Sequence, residues 1–205
     1  MQELIAWKDR RDRKPLILLG ARQVGKTYVL KEFGRREFES VAYINCDNNA
    51  MVKDLFAPDY DIDRILLTIG AITGVNIQAG KTLIIMDEIQ ELHRGLASLK
   101  YFCENAREYH VAVAGSLLGL TLHQGESYPV GKVNTLQMYP MTYEEFLWAR
   151  GLKPRVDLLL SGMWDVVKSL KSLYIQHLRE YYLVGGMPEA VSTFIQTNDA
   201  NAVRE

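Results

Sequence analysis

The sequence predicts an α/β protein with a parallel sheet covered by helices on both faces, followed by a small all-α C-terminal subdomain. Three runs, residues 16–19, 82–86 and 110–114, are apolar at consecutive positions, which is typical of strands buried on both faces. Helix-length segments separate these runs, and strand alternating with helix is the pattern of a parallel sheet. After Pro140 the apolar spacing becomes helical, so we expect an α/β core over residues 1–140 and a helical subdomain over 141–205.

The remaining elements follow from local signals. Residues 41–45 predict a fourth strand, and the alternating segment 133–138 predicts a strand at a sheet edge. In the core, helices are expected over 26–38, 61–73, 96–109 and 116–123. In the C-terminal part, Thr142 followed by Glu145 forms a capping-box pattern, and Pro188 suits the first turn of a helix. Further helices are expected there over 156–167, 169–183 and 188–196.

Composition and charge exclude several classes of protein. The chain has 205 residues with a formal net charge of −1, which gives no support for nucleic acid or an anionic membrane as a partner of the whole chain. Its apolar runs fall far short of the ~20 residues of a membrane-spanning helix. Cys46 and Cys103 form no CxxC pair, so we expect no disulfide framework or zinc site and a cytoplasmic location.

The strongest motif is the segment GARQVGKT, which follows a predicted strand and opens a predicted helix. It fits the Walker A pattern G-x-x-x-x-G-K-[ST], in which backbone amides and a helix N-terminus surround phosphate oxygens. Lys26 is expected as an exposed side chain that reaches the β and γ phosphates, and Thr27 as a ligand of Mg²⁺. Arg22 and Gln23 contact a nucleotide or a neighbouring subunit, or else they face solvent. The expected nucleotide-binding residues are Gly20, Ala21, Arg22, Gln23, Val24, Gly25, Lys26, Thr27 and Tyr28.

Two carboxylates end the strand predicted at 82–86. The carboxyl ends of parallel strands are where α/β sheets place ligands, so Asp87 is expected to hold Mg²⁺ together with Thr27. Glu88 is expected to activate the water that attacks the γ phosphate, although such a pair also occurs in simple solvated turns. Ser116 ends the next strand, where it either positions the γ phosphate or caps the following helix. A second GKT, ending at Thr82, precedes a strand instead of a helix and is interpreted as a turn.

Five segments together resemble a known family, and in order they span nearly the whole chain: GARQVGKT, IIMDEIQ, VAVAGSLLG, YPVGKVNTLQMYPMTYEEFL and EYYLVGGMPEAV. They are similar to the ATPase core of prokaryotic AAA-type P-loop proteins of the AAA family fourteen type. The resemblance implies an extra strand between the phosphate-loop strand and the acidic strand, a preference for ATP, Glu88 as the catalytic carboxylate, and the C-terminal helices as a lid. Family members commonly continue into a further part, whose function is not assigned to this chain.

One position departs from the family pattern. Lys132 stands after Gly131 where relatives usually carry arginine, and a lysine supplies charge without the bidentate fork of a guanidinium. If the arginine of relatives acts on the γ phosphate, the role of Lys132 is open.

The predicted function is that of a Mg²⁺-dependent ATPase, a phosphoanhydride hydrolase that couples nucleotide state to an unknown protein partner. The alternative is a nucleotide-gated binding switch for a protein or DNA partner with negligible turnover. A GTPase is disfavoured because no NKxD tetrapeptide is present, and groove reading by residues 188–196 is disfavoured because that segment contains no Lys or Arg. Whether the chain forms a homo-oligomer is left open. If subunits complete one another's sites, a monomer would be nearly inactive.

Overall fold

The computed structural model describes residues 1–116 and 129–203, with the side chain of Ser116 left out. The chain divides into two compact units, residues 1–138 and residues 139–205. The expected helix over 116–123 lies outside the described residues.

The first unit is built on a parallel sheet of five strands in the order β2-β3-β4-β1-β5. β4 lies between β1 and β3, as the resemblance implies, and the alternating segment forms an edge strand as expected. The strands are β1 (Leu16–Gly20), β2 (Ser40–Asn45), β3 (Thr82–Asp87), β4 (His110–Ser116) and β5 (Asn134–Met138).

Four described helices belong to the first unit and five to the second. The first four are α1 (Gln2–Lys8), α2 (Lys26–Glu37), α3 (Ile62–Thr73) and α4 (Gly95–Asn105). The second unit contains α5 (Tyr143–Ala149), α6 (Lys153–Leu160), α7 (Trp164–Ser169), α8 (Lys171–Val184) and α9 (Pro188–Thr197). None of the helices in the described part of the chain has both the length and the apolar character required to cross a membrane.

The single helix expected over 156–167 was wrong. Two helices, α6 and α7, replace it, and Gly162 lies between them with φ 72°. This left-handed backbone conformation is natural for glycine and interrupts a right-handed helix. The apolar residues on both sides of the glycine produced the continuous helical spacing that suggested one helix.

The sheet is apolar on both faces because alternate residues of each strand enter different cores. Ile17 and Ile84 pack in one core with α3 and α4, whereas Leu16, Leu83 and Ile85 pack in the other with α1 and α2. Every residue of β3 is buried. Burial on both faces is therefore the physical reason that these strands are apolar at consecutive positions and not at alternate ones.

The strand register brings the functional segments to one edge of the sheet. Gly20 pairs with Ser116, and Asn45 pairs with Asp87, so the carboxyl ends of the four strands β1 to β4 lie along the same edge. The residues after β1 and β3 consequently lie at the same edge, with only β4 between the two strands. This edge is where open α/β sheets place their ligands.

The second unit has a core of its own, to which all its helices except α7 contribute buried side chains. The Thr142 hydroxyl accepts a hydrogen bond from the Glu145 amide, while the Glu145 carboxylate accepts one from the Thr142 amide, which confirms the predicted capping box. Just before α5, the Met141 amide donates to the Gly186 carbonyl at 2.7 Å. The GGMP turn between α8 and α9 is thereby tied to the segment that leads into α5.

Candidate functional site

The loop between β1 and α2 requires glycine at both ends. A Cβ atom at Gly20 would lie 2.5 Å from the Met138 carbonyl oxygen, which leaves no room for a side chain. Gly25 has φ 98° and comes directly before α2, a conformation that strains other residues. No acidic residue occupies the first turn of α2, so the positive end of its helix dipole meets no carboxylate of its own turn.

Lys26 is buried, with only 5% of its surface exposed, so the expectation of an exposed lysine was wrong. Its Nζ donates hydrogen bonds to the carbonyl oxygens of Gly20 at 3.2 Å and Ala21 at 2.8 Å. The loop therefore curls around the ammonium group. A cation held in this way places positive charge at the centre of the loop, where an anionic ligand would be surrounded by backbone amides.

Thr27 and Asp87 meet across the edge of the sheet. The Thr27 hydroxyl donates to Asp87 Oδ2 at 2.5 Å, and the Tyr43 hydroxyl donates to the same oxygen at 3.3 Å. Asp87 is almost fully buried. A hydroxyl beside a carboxylate offers the hard oxygen ligands that suit Mg²⁺. Among the residues that the structure describes, no cluster of three or more His, Cys, Asp or Glu side chains provides a metal cage.

Burial and the two carboxylates together raise the pKa of two neighbouring groups at this edge. Burial raises the pKa of Tyr43 to about 12, helped by the negative charge of Asp87 and the hydrogen bond to it. Burial also raises the pKa of the Cys46 thiol to about 12, with further contributions from the charges of Asp87 and Glu88. Burial is the larger cause of both pKa shifts, and the negative charge of the carboxylates, which adds to them, would also attract a divalent cation.

Glu88 occupies an unusual backbone conformation at the end of β3. Its φ is 51°, in the left-handed region that a residue with a Cβ rarely adopts, and it begins the short 3₁₀ turn Ile89–Glu91. Its carboxylate is half-buried and accepts a hydrogen bond from Gln90 Nε2 at 2.6 Å. The Asp87 carboxylate accepts from Thr27, Tyr43 and the Glu88 amide, whereas the Glu88 carboxylate accepts from Gln90.

The other predicted residues are spread around the loop. Val24 is buried beneath it, whereas Ala21, Arg22 and Gln23 are exposed. Tyr28 is 74% exposed on the first turn of α2. Ser116 ends β4 beside Gly20, but its side chain is outside the described part of the structure.

Lys132 lies at the opposite end of the sheet. It comes shortly before β5, whose first residue, Asn134, pairs with Leu16 at the start of β1. The phosphate loop begins at the other end of β1, roughly 13 Å away at about 3.3 Å per strand residue. The Lys132 ammonium forms an ion pair with Glu104 at 2.8 Å instead. In this arrangement, the Lys132 side chain is therefore too far away to contact a phosphate bound at the phosphate loop of the same chain.

Three residues at or beside the site were not assigned a role from the sequence. Tyr43 precedes the end of β2 and resembles any strand tyrosine until the register places its hydroxyl beside Asp87. Lys31 Nζ lies 3.4 Å from the centre of the Tyr43 ring, which fixes the aromatic side chain from α2. Gln90 is part of the quoted DEIQ segment, but its reach back to Glu88 depends on the 3₁₀ turn.

Four features together define a P-loop NTPase fold of the AAA class. They are a β-strand, the glycine loop after it that curls around a lysine, a threonine beside a strand-end aspartate, and the strand order β2-β3-β4-β1-β5. The family model for the AAA domain AAA_14 matches residues 12–147, more than half of the chain. The chain belongs to this family.

The chain is also similar to individual proteins. The chain is 29% identical over 197 residues to the uncharacterized protein MJ1637 of Methanocaldococcus jannaschii, an alignment that covers 88% of this chain and 39% of that protein. The chain thus spans about two fifths of the length of that curated relative. C. elegans PCH-2 is similar in fold, with a TM-score of 0.50, 11% identity and coverage of 92% of this chain and 58% of that one. A structure of Thermotoga maritima RuvB matches with a TM-score of 0.48 and 17% identity over 77% of this chain and 48% of that one.

Proposed function

We propose that this chain binds ATP with Mg²⁺, hydrolyses it and couples the nucleotide state to a protein partner. The observation that carries the proposal is the 2.5 Å contact between the Thr27 hydroxyl and Asp87, which joins the phosphate loop to the acidic strand end. The contact matters because a metal bound to a γ phosphate needs ligands from both segments at one point. The AAA domain family and its fold support nucleotide binding as the general activity.

Each residue of the site has a separate role in the proposed reaction. The loop amides and the Lys26 ammonium bind the phosphate oxygens, and Thr27 with Asp87 would hold Mg²⁺, whose charge offsets that of the β and γ phosphates. Glu88 accepts a proton from the attacking water as the new P–O bond forms and the bond to the leaving ADP oxygen breaks. The products are ADP and inorganic phosphate, and Glu88 returns its proton to solvent.

The proposal is tested by measuring ATP binding and ATP turnover on the same preparation. Calorimetric titration with ATP is expected to show binding that is tighter with Mg²⁺ than with EDTA, because Asp87 and Thr27 act through the metal. Phosphate release is then measured against protein concentration, and a specific activity that rises with concentration would indicate sites shared between subunits of a homo-oligomer. Binding without turnover at every concentration would favour the switch, and absence of binding would overturn both functions.

Asp87→Asn is expected to weaken Mg²⁺-dependent ATP binding by about 10–100-fold and to change binding in EDTA far less, because an amide is a poorer partner than a carboxylate for a hard divalent cation. The measurement is the same titration with and without Mg²⁺. Asp63→Asn serves as the control, since Asp63 is exposed on α3. An equal loss of affinity in EDTA would contradict the metal role of Asp87.

The division of labour between the two parts of the chain is also a proposal. Residues 1–140 would form the ATPase core, and residues 141–205 would form a lid that responds to the nucleotide. The separate core of the second unit supports treating these helices as a subdomain in their own right. A protein partner and a cytoplasmic location complete the proposal.

A further inference from the structure

Gln90 lies in the 3₁₀ turn that follows β3, and its side chain bends back to Glu88. The Nε2 atom of Gln90 donates to Glu88 Oε2 at 2.6 Å, a short hydrogen bond of the kind formed with a charged acceptor. An ionised carboxylate only accepts hydrogen bonds, so the nitrogen end of the amide must face Glu88. The backbone supports this geometry, because the Glu91 amide donates to the Glu88 carbonyl at 3.0 Å and closes the turn.

Among the described residues, the oxygen end of the same amide has no hydrogen-bond partner. Gln90 is 8% exposed, and its Oε1 atom is buried without a hydrogen bond to any described residue. A buried acceptor left unpaired destabilises the folded state, whereas an apolar side chain of the same shape would not. The fold by itself therefore favours a residue such as methionine at this position. The hydrogen bond from the Nε2 atom of Gln90 to the Glu88 carboxylate explains why an amide is present here.

The Glu88 carboxylate requires a hydrogen-bond partner that fixes its orientation. Its side chain has three rotatable bonds, and the carboxylate must be aimed at one water molecule to act as a base. We propose that Gln90 is a positioning residue that holds the Glu88 carboxylate in the orientation required for attack on the γ phosphate. The inference rests on the proposed ATPase function. In this role Gln90 acts through its hydrogen bond to Glu88.

Gln90→Met separates this role from a structural one. The substitution keeps an unbranched side chain and removes both the bond to Glu88 and the unpaired oxygen. The kcat for ATP is expected to fall roughly 10–100-fold, the scale of a misplaced catalytic group, with little change in ATP·Mg²⁺ affinity. The temperature of half-unfolding is expected to stay equal or to rise. If Gln90 had only a structural role, the opposite result would follow: the temperature of half-unfolding would fall, and the kcat of the folded molecules would be retained.

A double-mutant cycle tests whether Gln90 acts through Glu88. In the Glu88→Gln background, Gln90→Met is expected to change the residual kcat less than about twofold, because the base that it positions is already lost. Equal fold-changes in both backgrounds would overturn the proposal. The matched control is Gln176→Met, since Gln176 also donates to a glutamate, Glu180, but lies exposed on α8 in the second unit.

A readout that needs no turnover distinguishes this inference from the proposed function. The side-chain amide protons of Gln90, assigned by NMR through their loss in Gln90→Met, are expected to exchange slowly with solvent and to exchange faster in Glu88→Ala. Equal exchange in the two proteins would show that the pairing is absent and would overturn the inference even if the parent hydrolyses ATP. Slow exchange in a parent that binds ATP but never hydrolyses it would refute the hydrolase function and the positioning role, and leave the pairing as a structural contact.

Discussion

Glu88→Gln is expected to lower ATP turnover by roughly 10²–10⁴-fold, the range of general-base contributions, while ATP·Mg²⁺ still binds. The substitution keeps the size of the side chain and an oxygen that can accept from Gln90, so the local geometry is retained. What is lost is the ability to take a proton from water. The measurement is phosphate release beside a binding titration, under the assembly conditions that give the parent measurable activity.

The matched control is Glu91→Gln. Glu91 lies in the same 3₁₀ turn, but its side chain is exposed, so turnover is expected to be unchanged. If Glu88→Gln hydrolysed ATP at the parental rate, Glu88 would be only a strand-end carboxylate. The water-activating group would then have to be another residue.

Lys26→Met is expected to lower turnover by about 10²–10³-fold or more and to weaken ATP binding as well, because the ammonium group meets the phosphates in both the ground state and the transition state. Methionine is the informative substitution because Lys26 is buried, and its hydrocarbon stem fills space within the loop. Circular dichroism checks that the fold is retained. Calorimetry and phosphate release give the affinity and the rate.

The chain supplies its own control for this lysine. Lys81 belongs to the second GKT segment, at the amino end of β3, where it is exposed and pairs with Glu39 at 3.1 Å. Lys81→Met removes a surface ion pair and is expected to leave ATP affinity and turnover unchanged. Parental affinity and turnover in Lys26→Met would contradict the assignment of the phosphate loop.

Most of the sheet could be predicted because its strands are buried on both faces. Burial of this kind leaves uninterrupted apolar runs such as residues 82–86, and these runs are visible without knowledge of the strand order. The alternating segment at β5 was likewise expected at an edge, where only one face needs to be apolar. That a strand lies between β1 and β3 followed from the family resemblance and not from these patterns.

The parts that could not be predicted depend on contacts between distant residues or on single backbone angles. The orientation of Lys26 is set by two carbonyl groups of a curled loop, and the role of Tyr43 by its proximity to Asp87. The break at Gly162 depends on one positive φ inside an otherwise helical pattern. Apolar periodicity reports burial, so it contains no information on where a polar atom finds its partner.

The position of β1 in the sheet has a consequence for the synthesis of the protein. β1 is the first of the five described strands, yet its neighbours are β4 and β5, the last two of the five. Leu16 can pair with Ala112 and Asn134 only after both have been synthesised. On the ribosome, the strand that supports the phosphate loop emerges long before either neighbour exists. Its apolar residues stay open to chaperones or to other nascent chains during that interval. β1 therefore acquires both of its neighbours only after residue 138 has left the exit tunnel.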